Sequence, residues 1–274
     1  MLASFLLSLR EGLEAAIILG IVVGVLRRTQ QAHLTPAVWR GAFAAIITSL
    51  IIAVGLAVAG AEFEGQAEQI FEGFTFILAA GLLTWMIFWM QKQVRKVRTS
   101  LEANVLRAAS QPGQNGLFWV AFLSILREGV ELAVFLLAAR LTSNSLETLI
   151  GAAVGLLGAA GLGYLAFAST RKLSFRAILR VVNFFLILFA AGLAAHGVHE
   201  FIEAGWLPAF INPLWDTNSI LNEKSFIGQS LTALFGYNGN PALLEVIVYL
   251  TYLAVLVTAW FKFFGQKLSP EKAR

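Results

Sequence analysis

Arg10-Glu11-Gly12-Leu13-Glu14 returns as Arg127-Glu128-Gly129-Val130-Glu131, 117 positions further along the chain. Each copy sits inside an apolar stretch, residues 2–26 around the first and 117–139 around the second. An ionised side chain in such a run costs ~2.5–3.5 kcal/mol on insertion into a bilayer, so it ordinarily marks an ion or substrate pathway. Within each copy the glutamates are spaced i, i+3 and share one helix face, with the arginine i, i+4 to the second of them. One face therefore carries two carboxylates and their own counter-charge.

The surrounding composition names the solvent. Hydrophobic residues make up 58% and charged residues 13% of 274 positions, with a mean hydropathy of +0.76, against about 25% charged in soluble domains. The chain reads as an all-α polytopic membrane protein. It has no cysteine, which excludes disulfides, thiolate metal sites and a cysteine nucleophile; any metal must be held by oxygen or by one of three histidines. The first stretch has no basic n-region and is interrupted by Arg10, Glu11 and Glu14, so it is expected to be a retained helix and not a cleaved signal peptide. No phosphate-binding glycine loop or nucleophile elbow is present. The expectation is no enzyme, and no ATP hydrolysis by this chain.

Apolar windows of about 20 residues place spans near 2–26, 39–60, 70–91, 117–139, 146–169, 178–200 and 241–263. Charge orients them. Sixteen of the 20 basic residues lie in the connections 27–40, 92–116 and 170–180 and in the tail after 261, while the alternate side holds Arg140 and Lys224. By the positive-inside rule the N-terminus is outside, the C-terminus is cytoplasmic, and seven helices cross the cytoplasmic (plasma) membrane. The excess basic charge faces anionic lipid, and nucleic acid is not an expected partner. Acids segregate the other way, with Glu62, Glu64, Glu68, Glu72, Glu147, Glu200, Glu203, Asp216 and Glu223 at or near the outer side. Such a face concentrates cations.

Repetition sets the architecture. Gly41-Ala42 lies on Gly151-Ala152, and Ala79-Ala80-Gly81-Leu82 on Ala190-Ala191-Gly192-Leu193, at offsets of 110 and 111. Helices 1–3 (1–116) are thus expected to recur as helices 4–6 (117–200), followed by an outer loop (201–240) and helix 7 with its tail (241–274), all in a single transmembrane domain. An odd number of helices per repeat inverts the second copy, the plan that puts a transport site near the midplane at the repeat interface. Arg10 and Arg127 lie ~12 and ~15 Å from their helix ends at 1.5 Å per residue, near the middle of an ~30 Å hydrocarbon layer.

The residues therefore propose a cation site of Glu11, Glu14, Glu128 and Glu131 between helices 1 and 4, because carboxylate oxygens suit hard cations. Gly12 and Gly129 are expected to let those two helices approach, and Arg10 and Arg127 to hold the second glutamate of each pair. The bland alternative is two Arg–Glu pairs gluing a bundle. Four glutamates and two arginines sum to −2, so a trivalent ion needs a further anion: a hydroxide, Glu245 or release of an arginine. Glu245 itself reads as an interfacial acid. His196, His199, Glu200 and Glu203 form a candidate outer relay with Glu64, Glu68 and Glu72, or a purely structural interfacial cluster. The 201–240 connection, with Trp206, Pro208, Pro213 and Trp215, reads as turns and interfacial aromatics that cap an outer vestibule or dock a partner.

The doubled "REGLE" and "REGVE" in the first and fourth of seven helices resemble the high-affinity iron permease family, across essentially the whole chain. That family includes the fungal permease that works beside a multicopper ferroxidase, and related bacterial iron-uptake permeases. The resemblance implies iron, in its ferric form and coupled to an oxidation step, as the transported substrate. It implies Glu11, Glu14, Glu128 and Glu131 as its ligands and Arg10 and Arg127 as motif arginines. No prosthetic group is expected, and the partners would be lipid, the iron ion and a ferroxidase or periplasmic iron-delivery protein. Transport of another hard or heavy cation, such as manganese or lead, is the alternative, with a membrane metalloenzyme a distant third.

Overall fold

The structure, a computed structural model, describes residues 1–61, 63–110, 115–168, 175–223 and 225–265. Glu62, Arg171, Lys172, Lys224 and the tail residues Lys267, Lys272 and Arg274 lie outside them. The chain is all-helical, with no strand among the described residues. Helix α1 spans Leu2–Arg28 and leads through a one-turn 3-10 helix, Ala32–Leu34, to α2 (Thr35–Ala61), α3 (Gln66–Ser110) and α4 (Asn115–Leu141). Then follow α5 (Ser145–Ala168), α6 (Phe175–Glu203), α7 (Phe226–Phe235) and α8 (Leu243–Gly265).

Without water to satisfy backbone groups, an apolar run of this length closes its hydrogen bonds internally as a helix. Four stretches, Ala32–Gly60, Gln66–Trp89, Ser145–Leu165 and Ala177–Glu203, are long and apolar enough to cross a membrane. The expected seven are not all of this kind. Motif charges interrupt α1 and α4, and the apolar part of α8, Leu243–Ala259, is shorter.

The most extensive packing pairs α1 with α5, α2 with α4 and α3 with α6. A side chain at Gly151 would meet Met1 and Ser4, one at Gly12 Ala159, and one at Gly163 Ala16, so α1 and α5 run side by side in the same sense. Gly41 packs on Phe118 and Ala121, and Gly129 on Ser49, so α2 and α4 do likewise. Gly73 against Phe201 and Gly197 against Ile77 make α3 and α6 antiparallel. The end of α1 (Val22, Val25, Leu26) and the start of α4 (Leu117, Ala121) share one buried cluster. These two helices therefore enter the bundle from opposite ends.

Three expectations change. Gly12 and Gly129 do not ease α1 onto α4; Gly12 seats α1 on α5 and Gly129 seats α4 on α2, because the motif glycine and glutamates point to different sides of each helix. The presumed inner connection 92–116 is largely helix: α3 continues to Ser110, 45 residues in all. Its apolar positions Leu101, Val105 and Ala108, at helical spacing, bury under the ends of α1 and α4. The outer connection also contains α7, whose N-cap Ser225 accepts a hydrogen bond from the Gly228 N–H at 3.0 Å and whose C-terminus closes on Gly236 at φ 67°.

Candidate cation site

The two motifs meet in the interior, where α1 packs against α4. Arg10, Glu11, Glu14, Glu128 and Glu131 are all buried. An oxygen from each of Glu11, Glu128 and Glu131 lies within 4.8 Å of the others, the one such group of three among the described residues. Glu14 stands outside that set.

The arginines are held differently. Arg10 donates from Nη1 to Glu11 Oε1 at 2.8 Å and to Met86 Sδ at 3.2 Å, and from Nε to Asn183 Oδ1 at 3.0 Å. Its Nη2 stands 3.0 Å from Glu14 Oε1. Arg127 Nε donates to Glu131 Oε1 at 2.8 Å, while its guanidinium lies 4.8 Å from the Trp89 ring centroid and 5.8 Å from that of Trp85. A cleft of about 400 Å³ between α3 and α4 opens beside it, lined by Leu82, Leu123, Leu126, Arg127, Val130 and Glu131.

What the arginines leave unmet defines the chemistry. Among the described residues, buried side-chain oxygens with neither a hydrogen bond nor an ion pair occur on Glu11, Glu128 and Glu131 and on Ser8 and Ser49, whereas the buried Glu14 Oε1 is paired with Arg10. Folded proteins rarely leave buried polar atoms unpaired, and carboxylate oxygens in an apolar interior are the costliest case. Convergent hard oxygen donors accept a hard or borderline cation.

The outer residues form a different kind of cluster. His199 Nδ1 pairs with Glu245 Oε1 at 2.8 Å and its Nε2 with Glu203 Oε1 at 3.2 Å, so both ring nitrogens are engaged. Glu245 is buried, accepts from Asn238 Nδ2 at 2.7 Å and caps α8 through the Ala242 N–H at 3.0 Å. His196 Nδ1 bonds the Gly192 carbonyl at 2.9 Å beneath Phe76. Glu64 and Glu68 are exposed and Glu72 and Glu200 half-buried at the same end of α3 and α6. These side chains do not converge as the motif acids do.

The sequence reading missed Asn183, Met86, Trp85, Trp89 and Ser49 around the site. Asn183 had a signal, as an amide in an otherwise apolar run; the others look like ordinary span residues until the helices are packed.

Buried carboxylate oxygens without hydrogen-bond partners thus gather here from two of the apolar helices. The family profile described as "Iron permease FTR1 family" matches residues 1–267, and the chain belongs to that family of transporters, not enzymes. "Ferrous iron permease EfeU" of Escherichia coli O157:H7 is 34% identical over 262 residues, 95% of this chain and 95% of its own. The protein of the same description in Yersinia pestis is 34% identical over 263 residues, 95% of this chain and 93% of its own. No solved structure matches.

Proposed function

We propose that the protein carries iron across the cytoplasmic membrane into the cell, through a site made by Glu11, Glu128 and Glu131, with Glu14 close at hand. The observation that carries this reading is the convergence of three carboxylate oxygens from opposed helices, within 4.8 Å of one another and each glutamate with an unpaired buried oxygen. Arg10 and Arg127 lower the cost of the empty site and orient Glu11 and Glu131.

Helices α1–α3 and α4–α6 form an inverted repeat, with α1 through α6 and α8 crossing the membrane, the N-terminus outside and the C-terminus in the cytoplasm. Two observations support this. The contact of Gly12 with Ala159 is matched by that of Gly129 with Ser49, and the contact of Gly151 with Met1 and Ser4 by that of Gly41 with Phe118 and Ala121; each pair is related by the repeat offsets. Opposed entry of α1 and α4 is the second. The outer acids Glu64, Glu68, Glu72, Glu200 and Glu203 concentrate cations at the mouth, and His199 with Glu245 braces α6 against α8.

The four motif glutamates and two arginines leave −2, which a divalent ion neutralises. Ferric iron needs a further anion, and Glu245 is committed to His199 and Asn238. The divalent form therefore fits better, and the two relatives are described as ferrous iron permeases. The test is uptake into sealed liposomes containing only this protein, comparing ferrous iron, ferric iron, manganese and lead. Faster ferrous uptake, lost in Glu128→Ala, supports the reading; uptake unaffected by that change removes it.

A further inference from the structure

The two halves of the bundle differ in one respect that the repeat makes measurable. Shifted by the repeat offsets, the α3–α4 cleft at Leu82, Leu123, Arg127 and Glu131 corresponds to a groove between α6 and α1 at Leu193, Leu6, Arg10 and Glu14. The first is open: Leu123 is 59% exposed and the Arg127 side chain 38%. The second is more enclosed, with Arg10 at 0% and Leu193 at 1%, although Leu6 itself is half-buried.

Asn183 of α6 and Met86 of α3 cover Arg10 there, and α7 packs over the neighbouring stretch of the same α1–α6 seam. The α7 residues Gln229 and Ser230 stand beside Met1, Leu2 and Phe5 at the start of α1, Phe235 meets the edge of Phe185 on α6 with ring centroids 6.4 Å apart, and Gly236 lies against Gly192 so closely that a Cβ on Gly192 would fall 2.4 Å from the Gly236 Cα. The counterpart of Gly192 in the first repeat is Gly81, where an added Cβ meets nothing within 4 Å. Nothing among the described residues plays the part of α7 there.

We infer that the α3–α4 cleft and the α1–α6 groove are two equivalent doors to the glutamate site, and that α7, latched at Gly192–Gly236, is the plug of the second. The inference rests on the permease reading and adds a path and a moving part to it. Glu131 belongs both to the ligand set and to the cleft wall, so the cleft ends beside the site. A carrier that exposes one site to two sides in turn opens the other door only when α7 lifts from α1 and α6. Arg127 on Trp85 and Trp89 is then the position of a motif arginine at an open door, and Arg10, enclosed by Asn183, Met86, Glu11 and Glu14, its position at a closed one.

The absence of cysteine makes the test direct. Leu6→Cys and Leu123→Cys, each as the single thiol, are exposed to a charged maleimide present on both faces of liposomes, with Leu157→Cys, 72% exposed on α5, as the lipid-facing control. Leu123→Cys should react well above that control and Leu6→Cys should not. Adding Gly192→Ala should raise Leu6→Cys labelling about tenfold, as a minor open state becomes the major one, whereas Gly81→Ala should change neither thiol. Phe235→Ala loosens the same plug without steric conflict and serves if Gly192→Ala does not fold. A Leu123→Cys no more reactive than Leu157→Cys, or a Leu6→Cys still silent in the folded plug variants, overturns the inference. Iron uptake by the unmodified protein in the same liposomes reads the permease reading separately: uptake with silent thiols removes the two doors alone.

Discussion

Arg10 and Arg127 hold the same place in two copies of one motif, yet Arg10 is fully enclosed while 38% of the Arg127 side chain is exposed. Arg10 spends its donors on Asn183, Glu11 and Met86; Arg127 donates to Glu131 and rests on two tryptophan faces. The same motif residue thus meets an enclosed setting in one copy and a half-open one in the other.

That difference is measurable as stability. Arg10→Met strips a buried counter-charge from Glu11 and Glu14 and should cost about 3–5 kcal/mol, the usual penalty for breaking a buried pair. Arg127→Met, beside an open cleft, should cost clearly less. Thermal unfolding in detergent compares the two, and equal losses would contradict the asymmetry.

Removing a converging carboxylate should abolish transport at any iron concentration. Glu11→Ala, Glu128→Ala and Glu131→Ala each delete a ligand of the compact set, and uptake should fall at least ~10-fold, given that even outer partners of a metal site are worth 10–100-fold. Glu14→Ala should be less severe, since Glu14 lies outside the set. Initial rates at saturating iron, normalised to protein in the liposome, decide the order.

The helix seams give a reciprocal test. A Cβ at Gly129 would lie 2.1 Å from Ser49 Oγ, and one at Gly12 2.7 Å from Ala159 Cβ. Gly129→Ala and Gly12→Ala should each destabilise by roughly 1–3 kcal/mol through overpacking. Ser49→Gly should restore the first and Ala159→Gly the second, with no cross-rescue. Rescue of Gly12→Ala by Ser49→Gly would mean that the seams are wrongly paired.

The outer acids should govern capture and not throughput. Glu200→Gln with Glu203→Gln weakens the local field, so half-maximal uptake should need more iron while the maximal rate is kept. Uptake against iron concentration reads both quantities. His199→Ala should act mainly on stability, because it strands buried Glu245 without its charged partner.

Much of this was legible in order along the chain. The apolar runs marked the helices and the doubled motif marked the charged residues that the structure buries, since apolar length and helical spacing are local properties; the offsets of 110, 111 and 117 carry the proposed repeat. Even α7 left a mark, in Ser225 and Gly236 bracketing Phe-Ile-Gly-Gln-Ser-Leu-Thr-Ala-Leu-Phe, a cap at each end of an apolar helix that the turn-rich loop around it hid.

Which faces meet was not legible. Gly12 against Ala159 instead of α4, Glu14 outside the ligand set, Asn183 on Arg10 and Trp89 under Arg127 all depend on the rotation of one helix about its axis relative to another. In a bilayer nearly every face of such a helix is apolar, so hydrophobic patterning does not fix that rotation; close contact at small residues does. The sequence by itself determined that charged groups are buried midway along two helices, and only the tertiary packing decided that three of their carboxylates converge, that one arginine is sealed and that its twin stands at an open cleft.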